Sequence, residues 1–182
     1  MRTIFLSTIF VILFCSLSGQ NIDKICYFEK NTVTWDDIKE VDVTNDTIRE
    51  EAFIFSTFEL ELVKVNPWTG KSKFRGYAIY IPSKSWVKQD CKNDRNLLYS
   101  QTIFDLNQLY AKKIEYKFNK KYDPFFGSLD EQITKAMAEY GKEYTKDEIK
   151  FNKETDYGKD IEKIKEWNTK IKTETLKIKN DR

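Results

Sequence analysis

Apolar and polar residues alternate in the first half of the chain, whereas apolar residues recur every third or fourth position in the second half. Segments 52–65 ("AFIFSTFELELVKV") and 73–82 ("KFRGYAIYIP") both alternate, which is typical of half-buried β-strands. The segment between them, "NPWTG" (66–70), contains the Pro and Gly of a turn. We therefore predict a long antiparallel hairpin, with an earlier strand at 31–38 ("NTVTWDDI") beside it. The inward face of the first hairpin strand is predicted to consist of Phe58, Leu60 and Leu62.

The second half of the chain predicts three amphipathic helices. The first covers "NLLYSQTIFDLNQLYAKK" (96–113), and a break at "YDPFFGS" (122–128) separates it from the second. Ser128 and Glu131 have the spacing of a capping box, and the third helix is predicted to begin near Asp160. Because strands come first and helices follow, we predict an α+β fold in one domain. The predicted inward positions are Leu98, Ile103, Leu106, Leu109 and Tyr110 in the first helix, Leu129, Ile133, Met137, Tyr140 and Tyr144 in the second, and Ile161, Ile164, Trp167 and Ile171 in the third.

The N-terminus predicts export from the cell. A single positive charge precedes a mostly apolar run at 4–14, and small residues follow it, as in a secretory signal peptide. We predict cleavage near Ser18 or Gly19, so that residues 1–19 are the signal peptide and residues 20–182 the mature domain, in the periplasm or secreted. A permanent N-terminal anchor is the alternative, although the apolar run is short for a membrane span, and no later segment has the length and hydropathy to cross a bilayer.

The three cysteines bear on the same prediction. Cys15 offers a lipoprotein alternative, but Phe14 stands where the lipoprotein peptidase requires a small residue. Cys26 and Cys91 remain in the predicted mature chain, and an exported protein permits a disulfide between them. We expect that bridge, which would close a loop of about 65 residues and add roughly 4 kcal/mol to stability, with two free thiols as the alternative.

The charge balance and the absence of histidine exclude several functions. The 31 basic residues are nearly balanced by 29 acidic ones, whereas a dedicated nucleic-acid-binding domain usually carries a clear basic excess. The chain contains no histidine, so neither a Ser-His-Asp nor a Cys-His catalytic arrangement can form. The commonest zinc ligand is also missing. Most classes of hydrolase are therefore excluded by composition.

Separated stretches of the chain resemble the DUF922 family, bacterial secreted proteins predicted to be zinc-dependent proteases. "TVTWDDIKE" (32–40) resembles the "LTWDDFKG" opening of that family, and "EAFIFSTF" (51–58) keeps the Ala and Ser of its "AAxTxSGI" strand. "YIPSKSWVK" (80–88) is similar to its "FxPxKSWV" segment, and "KETDYGKDIEKIKEWNTKI" (153–171) is similar to its "YDKETNHxxxxEKQKEWNxKI" segment. The resemblance covers roughly residues 33–171 and implies a zincin-like fold.

The first predicted helix resembles the family at the largest number of positions. In the family it reads L-x-H-E-Q-x-H-F-D-I-x-E-x-Y-A-R-K-L, a helix whose two histidines, four residues apart, hold zinc on one face. The matching positions of this chain are Gln101, Phe104, Asp105, Tyr110, Ala111 and Lys113. At the remaining positions, Tyr99 and Ile103 replace the two histidines, and Ser100 replaces the glutamate that would act as general base. Tyr157 stands where the family's third ligand is expected.

These replacements predict a degenerate, non-catalytic homologue (a pseudoenzyme) with no metal, no cofactor and no catalytic residue. Tyr99 and Tyr157 are expected to stack or hydrogen-bond across the former zinc site and so tie the first helix to the third. A partner protein or peptide is compatible with this reading. The alternatives are an envelope binding or scaffold protein, and a hydrolase that uses paired carboxylates as glycosidases do. The carboxylates available to such an enzyme include Asp36, Asp37, Asp105, Glu154 and Asp156.

Overall fold

Among the residues that the structure describes, six strands precede three helices, which is the predicted α+β order. The computed structural model describes residues 23–42, 48–123 and 127–180, and the predicted signal peptide at 1–19 lies outside them. No helix in the described ranges has the length and apolar character needed to cross a membrane. The strands are β1 (Ile25–Cys26), β2 (Lys39–Val41), β3 (Ala52–Phe53), β4 (Ser56–Val65), β5 (Ser72–Tyr80) and β6 (Trp86–Lys88), and the helices are α1 (Asp94–Lys121), α2 (Leu129–Glu154) and α3 (Ile161–Asn180).

The long hairpin predicted from the alternating segments is present as β4 and β5. The two strands pair antiparallel, and the short strand β1 pairs antiparallel with the far end of β5. The predicted inward face holds at Phe58, which is buried, and at Leu60, which packs on the core. It is wrong at Leu62, which is 41% exposed, because the register shifts between Leu62 and Lys64 and the hairpin end extends beyond the core.

Two predicted strands are interrupted. The segment 52–65 is not one strand, because β3 pairs with β6 in a second sheet of order β2-β6-β3 whereas β4 belongs to the first. Between β3 and β4, where the chain passes from one sheet to the other, the N–H of Phe55 donates to the Ser85 hydroxyl at 3.0 Å. The segment 31–38 ends in a short 3-10 helix at Trp35–Asp37. There the Asp37 carboxylate accepts from the Thr34 N–H and hydroxyl at 2.9 and 2.7 Å, and such local capping competes with strand pairing.

Helix α1 is the centre of the molecule and packs against β4, β5, α2 and α3. Every residue from 102 to 111 is buried, so α1 has no solvated face over these three turns. The predicted capping box at Ser128 and Glu131 begins α2, and all five predicted inward residues of α2 are partly buried against the core. In α3 the Asp160 carboxylate accepts from the N–H groups of Glu162 and Lys163, and Ile164, Trp167 and Ile171 are buried as predicted.

Polar side chains of α1 accept hydrogen bonds from the backbone N–H groups along one edge of β5, where a neighbouring strand would otherwise pair. The N–H of Ala78 donates to Gln108 at 2.8 Å, that of Gly76 to Glu115 at 3.0 Å, and that of Phe74 to Asn119 at 2.8 Å. β1 covers only the last two residues of this edge. The helix therefore satisfies backbone donors that would otherwise form an exposed sheet edge.

The disulfide expected between Cys26 and Cys91 is not formed in the structure, where both residues are free cysteines. Burial raises the pKa of both thiols above the ordinary value. Both side chains are therefore weak nucleophiles near neutral pH.

Candidate functional site

The positions where the family carries its first histidine and its glutamate are buried inside the helical layer. Tyr99 and Ile103 lie one turn apart on α1 and are 2% and 5% exposed, and Ser100 between them is fully buried. These residues are in the first half of α1, where the helix is covered by α2 and α3. The place predicted for a metal-binding face is therefore part of the core.

Tyr99 is held by the end of α2. Its ring stacks on Phe151, with ring centroids 5.2 Å apart and an angle of 16° between the planes. Its hydroxyl donates to the side-chain oxygen of Asn152 at 2.7 Å. Phe151 in turn packs edge-on against Trp167 of α3 at 5.6 Å. A continuous aromatic stack, Tyr99–Phe151–Trp167, thus joins the three helices.

Gly158 closes the other face of the Tyr99 ring. A Cβ at this position would lie 3.0 Å from Cγ of Tyr99, so only a hydrogen on the Gly158 Cα leaves room for the aromatic ring. Its φ of 91° is also one that L-residues rarely adopt. The loop between α2 and α3 and the Tyr99 ring therefore fit each other closely.

Tyr157 lies on that loop, and within the described residues neither a hydrogen bond nor a ring contact joins it to Tyr99. Asp156 and Tyr157 have φ of 46° and 54°, a left-handed turn that the Tyr157 N–H stabilises by donating to the Asn152 carbonyl at 2.7 Å. The guanidinium of Arg49 lies 5.2 Å from the centre of the Tyr157 ring. Among the described residues Tyr99 has its hydrogen bond and ring contact on α2, so the expected tie between Tyr99 and Tyr157 is wrong.

Tyr99 and Ile103 do not fit a zinc ion. Isoleucine has no donor atom, and burial raises the pKa of Tyr99 far above the ordinary value, so its phenol keeps its proton and is a poor ligand. Within the described ranges no three Cys, Asp or Glu side chains are grouped closely enough to hold a metal ion. The Ser100 hydroxyl has no hydrogen-bond partner in the described structure, so no base activates it as a nucleophile.

Asp105 is the most enclosed of the candidate carboxylates. It is 7% exposed, and it accepts from the Tyr27 hydroxyl at 3.0 Å, from Gln101 at 2.8 Å and from Asn168 at 3.4 Å. Gln101 also accepts from the Val33 N–H at 2.7 Å. Burial raises the pKa of Asp105 despite these hydrogen bonds. Asp105 therefore joins Tyr27 and Asn168 of α3 to α1, and Gln101 extends the network to Val33.

The other candidate carboxylates either bond to separate protein groups or are exposed. Asp37 caps the 3-10 helix and pairs with Lys30 at 2.5 Å, and Glu154 accepts from the indole N–H of Trp167 at 2.8 Å. Asp36 and Asp156 are exposed. In the part of the chain that the structure describes, no hydrogen bond joins two of these five carboxylates. Asp37 and Glu154 therefore act here as hydrogen-bond acceptors for neighbouring protein groups.

Phe151, Asn152 and Gly158 are the residues of this region that the sequence did not predict. Phe151 stands seven positions after Tyr144 and so continues the apolar stripe of α2 beyond the point where it was traced. Asn152 and Gly158 have no comparable signal, because their roles depend on the ring of Tyr99. No protein-family model, no curated protein and no solved structure matches this chain.

Proposed function

We propose that this chain is an exported, non-catalytic homologue of the DUF922 zinc-dependent proteases, with Tyr99, Ile103 and Tyr157 in place of the zinc ligands. One observation carries the proposal: the stretch of α1 that would present a metal is buried and bonded into the aromatic stack with Phe151 and Trp167. A binding cleft requires a concave surface, whereas this region is packed. We therefore propose that the chain acts as a binding or scaffold protein through its outer surface.

The network around Asp105 supports the alignment on which the proposal rests. Val33 comes from the first stretch that resembles the family, Gln101 and Asp105 come from the helix stretch, and Asn168 comes from the last one. Three stretches far apart in sequence meet through hydrogen bonds of one carboxylate and one amide. If the chain shares the fold of that family, residues that match the family in separate stretches are expected to contact one another in this way.

The first test is the metal content of the purified protein, as processed by the cell, after incubation with zinc and dialysis. A peptidase assay on casein accompanies it, with an active zinc protease as the positive control. We expect no stoichiometric zinc and no cleavage, because Tyr99 and Ile103 offer no ligand at neutral pH. One zinc per chain together with chelator-sensitive cleavage would show that other residues rebuild a metal site and would overturn the proposal.

The alternative hydrolase is tested with the same preparation. A carboxylate-dependent glycosidase would act on polysaccharide substrates, and Asp105→Asn would abolish that activity. We expect no activity in either protein, since Asp105 is bonded to Tyr27, Gln101 and Asn168.

A further inference from the structure

The end of the β4–β5 hairpin exposes a group of large apolar side chains. We call residues 62–73 the hairpin tip. Leu62, Val63 and Val65 are each more than two-fifths exposed, and Trp68 at the turn is 94% exposed. Exposed apolar side chains that cluster in this way mark interaction sites more often than single ones do.

The turn that carries Trp68 is closed by local hydrogen bonds. Its backbone is closed by hydrogen bonds from Gly70 to the Asn66 carbonyl at 2.9 Å and from Asn66 to the Lys71 carbonyl at 2.8 Å. The Asn66 side chain also accepts from the N–H groups of Trp68 and Thr69. The exposed indole is therefore carried by a hydrogen-bonded turn.

The hairpin tip is also basic and free of acidic residues. Residues 62–73 contain Lys64, Lys71 and Lys73 and no Asp or Glu. Lys64 and Lys73 are directly opposite each other on the paired strands, an arrangement that destabilises a hairpin through like-charge repulsion. None of the three lysines has an ion-pair partner within residues 23–42, 48–123 and 127–180. A negatively charged surface would relieve this repulsion.

The end of α1 adds to the same surface. A cleft of about 370 Å³ lies between the hairpin tip and the last turn of α1. Lys71 and Lys120 line this cleft together with Asn119 and Tyr122. The cleft can therefore receive an anionic group next to the turn that carries Trp68.

We propose that the hairpin tip docks on the surface of an anionic lipid bilayer. Trp68 would lie at the headgroup level, where indoles are enriched because one end is apolar and the other polar. Val63 and Val65 would enter the acyl boundary, and the lysines would contact headgroup phosphates. A second copy of the chain fits less well, since it would bring two acid-free basic tips together. This proposal does not depend on the absence of catalysis.

The test is binding to sedimented vesicles made of phosphatidylcholine alone or of equal parts phosphatidylcholine and phosphatidylglycerol. The processed wild-type chain is expected to bind only the anionic vesicles, and less as salt is added. Trp68→Ala is expected to weaken binding at least tenfold, and each of Lys71→Ala and Lys73→Ala about fivefold. Brominated lipid is expected to quench the wild-type fluorescence and not that of Trp68→Ala.

Matched controls come from exposed residues of the helices. Ile149→Ala on α2 removes an exposed apolar side chain, and Lys177→Ala with Lys179→Ala on α3 removes two exposed cations. Both are expected to bind like the wild type. No binding to either vesicle, or equal losses in the tip and control variants, would overturn the proposal. It would also be overturned if free inorganic phosphate competed fully, or if Trp68→Ala changed only the oligomeric state.

Discussion

At the scale of the residue, Ser100 is the least satisfied side chain of the candidate site. It is fully buried, and its hydroxyl makes no hydrogen bond within the described structure. Other hydroxyls in helices here donate to the carbonyl four residues earlier, as Thr102 does to Leu98 at 2.7 Å. A buried polar group without a partner costs free energy that an apolar group of similar shape does not. Ser100 therefore weakens the core between Tyr99 and Ile103.

Ser100→Ala is expected to stabilise the protein by about 1 kcal/mol, because it removes an unpaired hydroxyl and raises helix propensity. The matched control is Ser85→Ala. Ser85 is equally buried, but its hydroxyl donates to the Ile81 carbonyl and accepts from the Phe55 N–H. We expect Ser85→Ala to destabilise by about 1–3 kcal/mol, since the Phe55 N–H loses its partner. Urea unfolding of the three proteins measures both changes, and a loss of stability in Ser100→Ala would indicate a hydrogen bond not seen here.

At the scale of the element, the position of α1 depends on its close approach to β5. A Cβ on Gly76 would lie 2.0 Å from the carbonyl oxygen of Ala111 and 2.8 Å from its carbonyl carbon. The helix backbone therefore touches the strand backbone, which lets Gln108 and Glu115 reach the N–H groups of β5. A larger residue at 76 would separate the two elements and break these hydrogen bonds.

Gly76→Ala is expected to destabilise the protein by more than about 3 kcal/mol, because the clash is with backbone that cannot rotate away. Gly141→Ala is the control. Gly141 lies inside α2, and a Cβ there would meet no atom within 4 Å, so alanine is expected to stabilise the helix by about 0.5–1 kcal/mol. Thermal unfolding followed by circular dichroism compares the two variants. Equal effects would mean that α1 does not lie against Gly76.

At the scale of the whole molecule, buried Asp105 makes stability depend on pH. Burial raises its pKa above the ordinary value of 3.8, although hydrogen bonds from Gln101 and Tyr27 and the charge of Lys172 oppose the shift. The folded chain therefore keeps this proton at pH values where the unfolded chain has lost it. The contribution of Asp105 to stability is present below pH 3.8 and is lost as the pH rises through the folded pKa.

Asp105→Asn is expected to remove this part of the pH dependence. The free energy of unfolding of the wild type should fall relative to the variant as the pH rises above about 4, and the difference should then level off. Asp37→Asn removes a carboxylate whose contribution to stability has the opposite pH dependence. Although burial acts against it, hydrogen bonds from Lys30 and Thr34 hold the pKa of Asp37 below the ordinary value, so its contribution is lost as the pH falls. Urea unfolding across pH tests both, and parallel curves for wild type and Asp105→Asn would contradict the assignment.

The elements of this fold could be predicted where local chemistry decides them. The turn at 66–70, the capping box of Ser128 and Glu131 and the type of each long element depend on neighbouring residues alone. The absence of histidine is likewise a property of the sequence, and it removes the commonest zinc ligand. These are the features that the sequence determined by itself.

The tertiary structure decided the features that depend on distant partners. Gln108, Glu115 and Asn119 have the pattern of a solvated helix face, yet they are directed at the edge of β5. The segment 52–65 changes sheet at residues 54–55 because Ser85 and β6 hold it there. Tyr99 stacks on Phe151, 52 residues away, and not on Tyr157. A period of hydrophobicity reports which side of an element is apolar, but the partner that covers each side is chosen only when the whole chain packs.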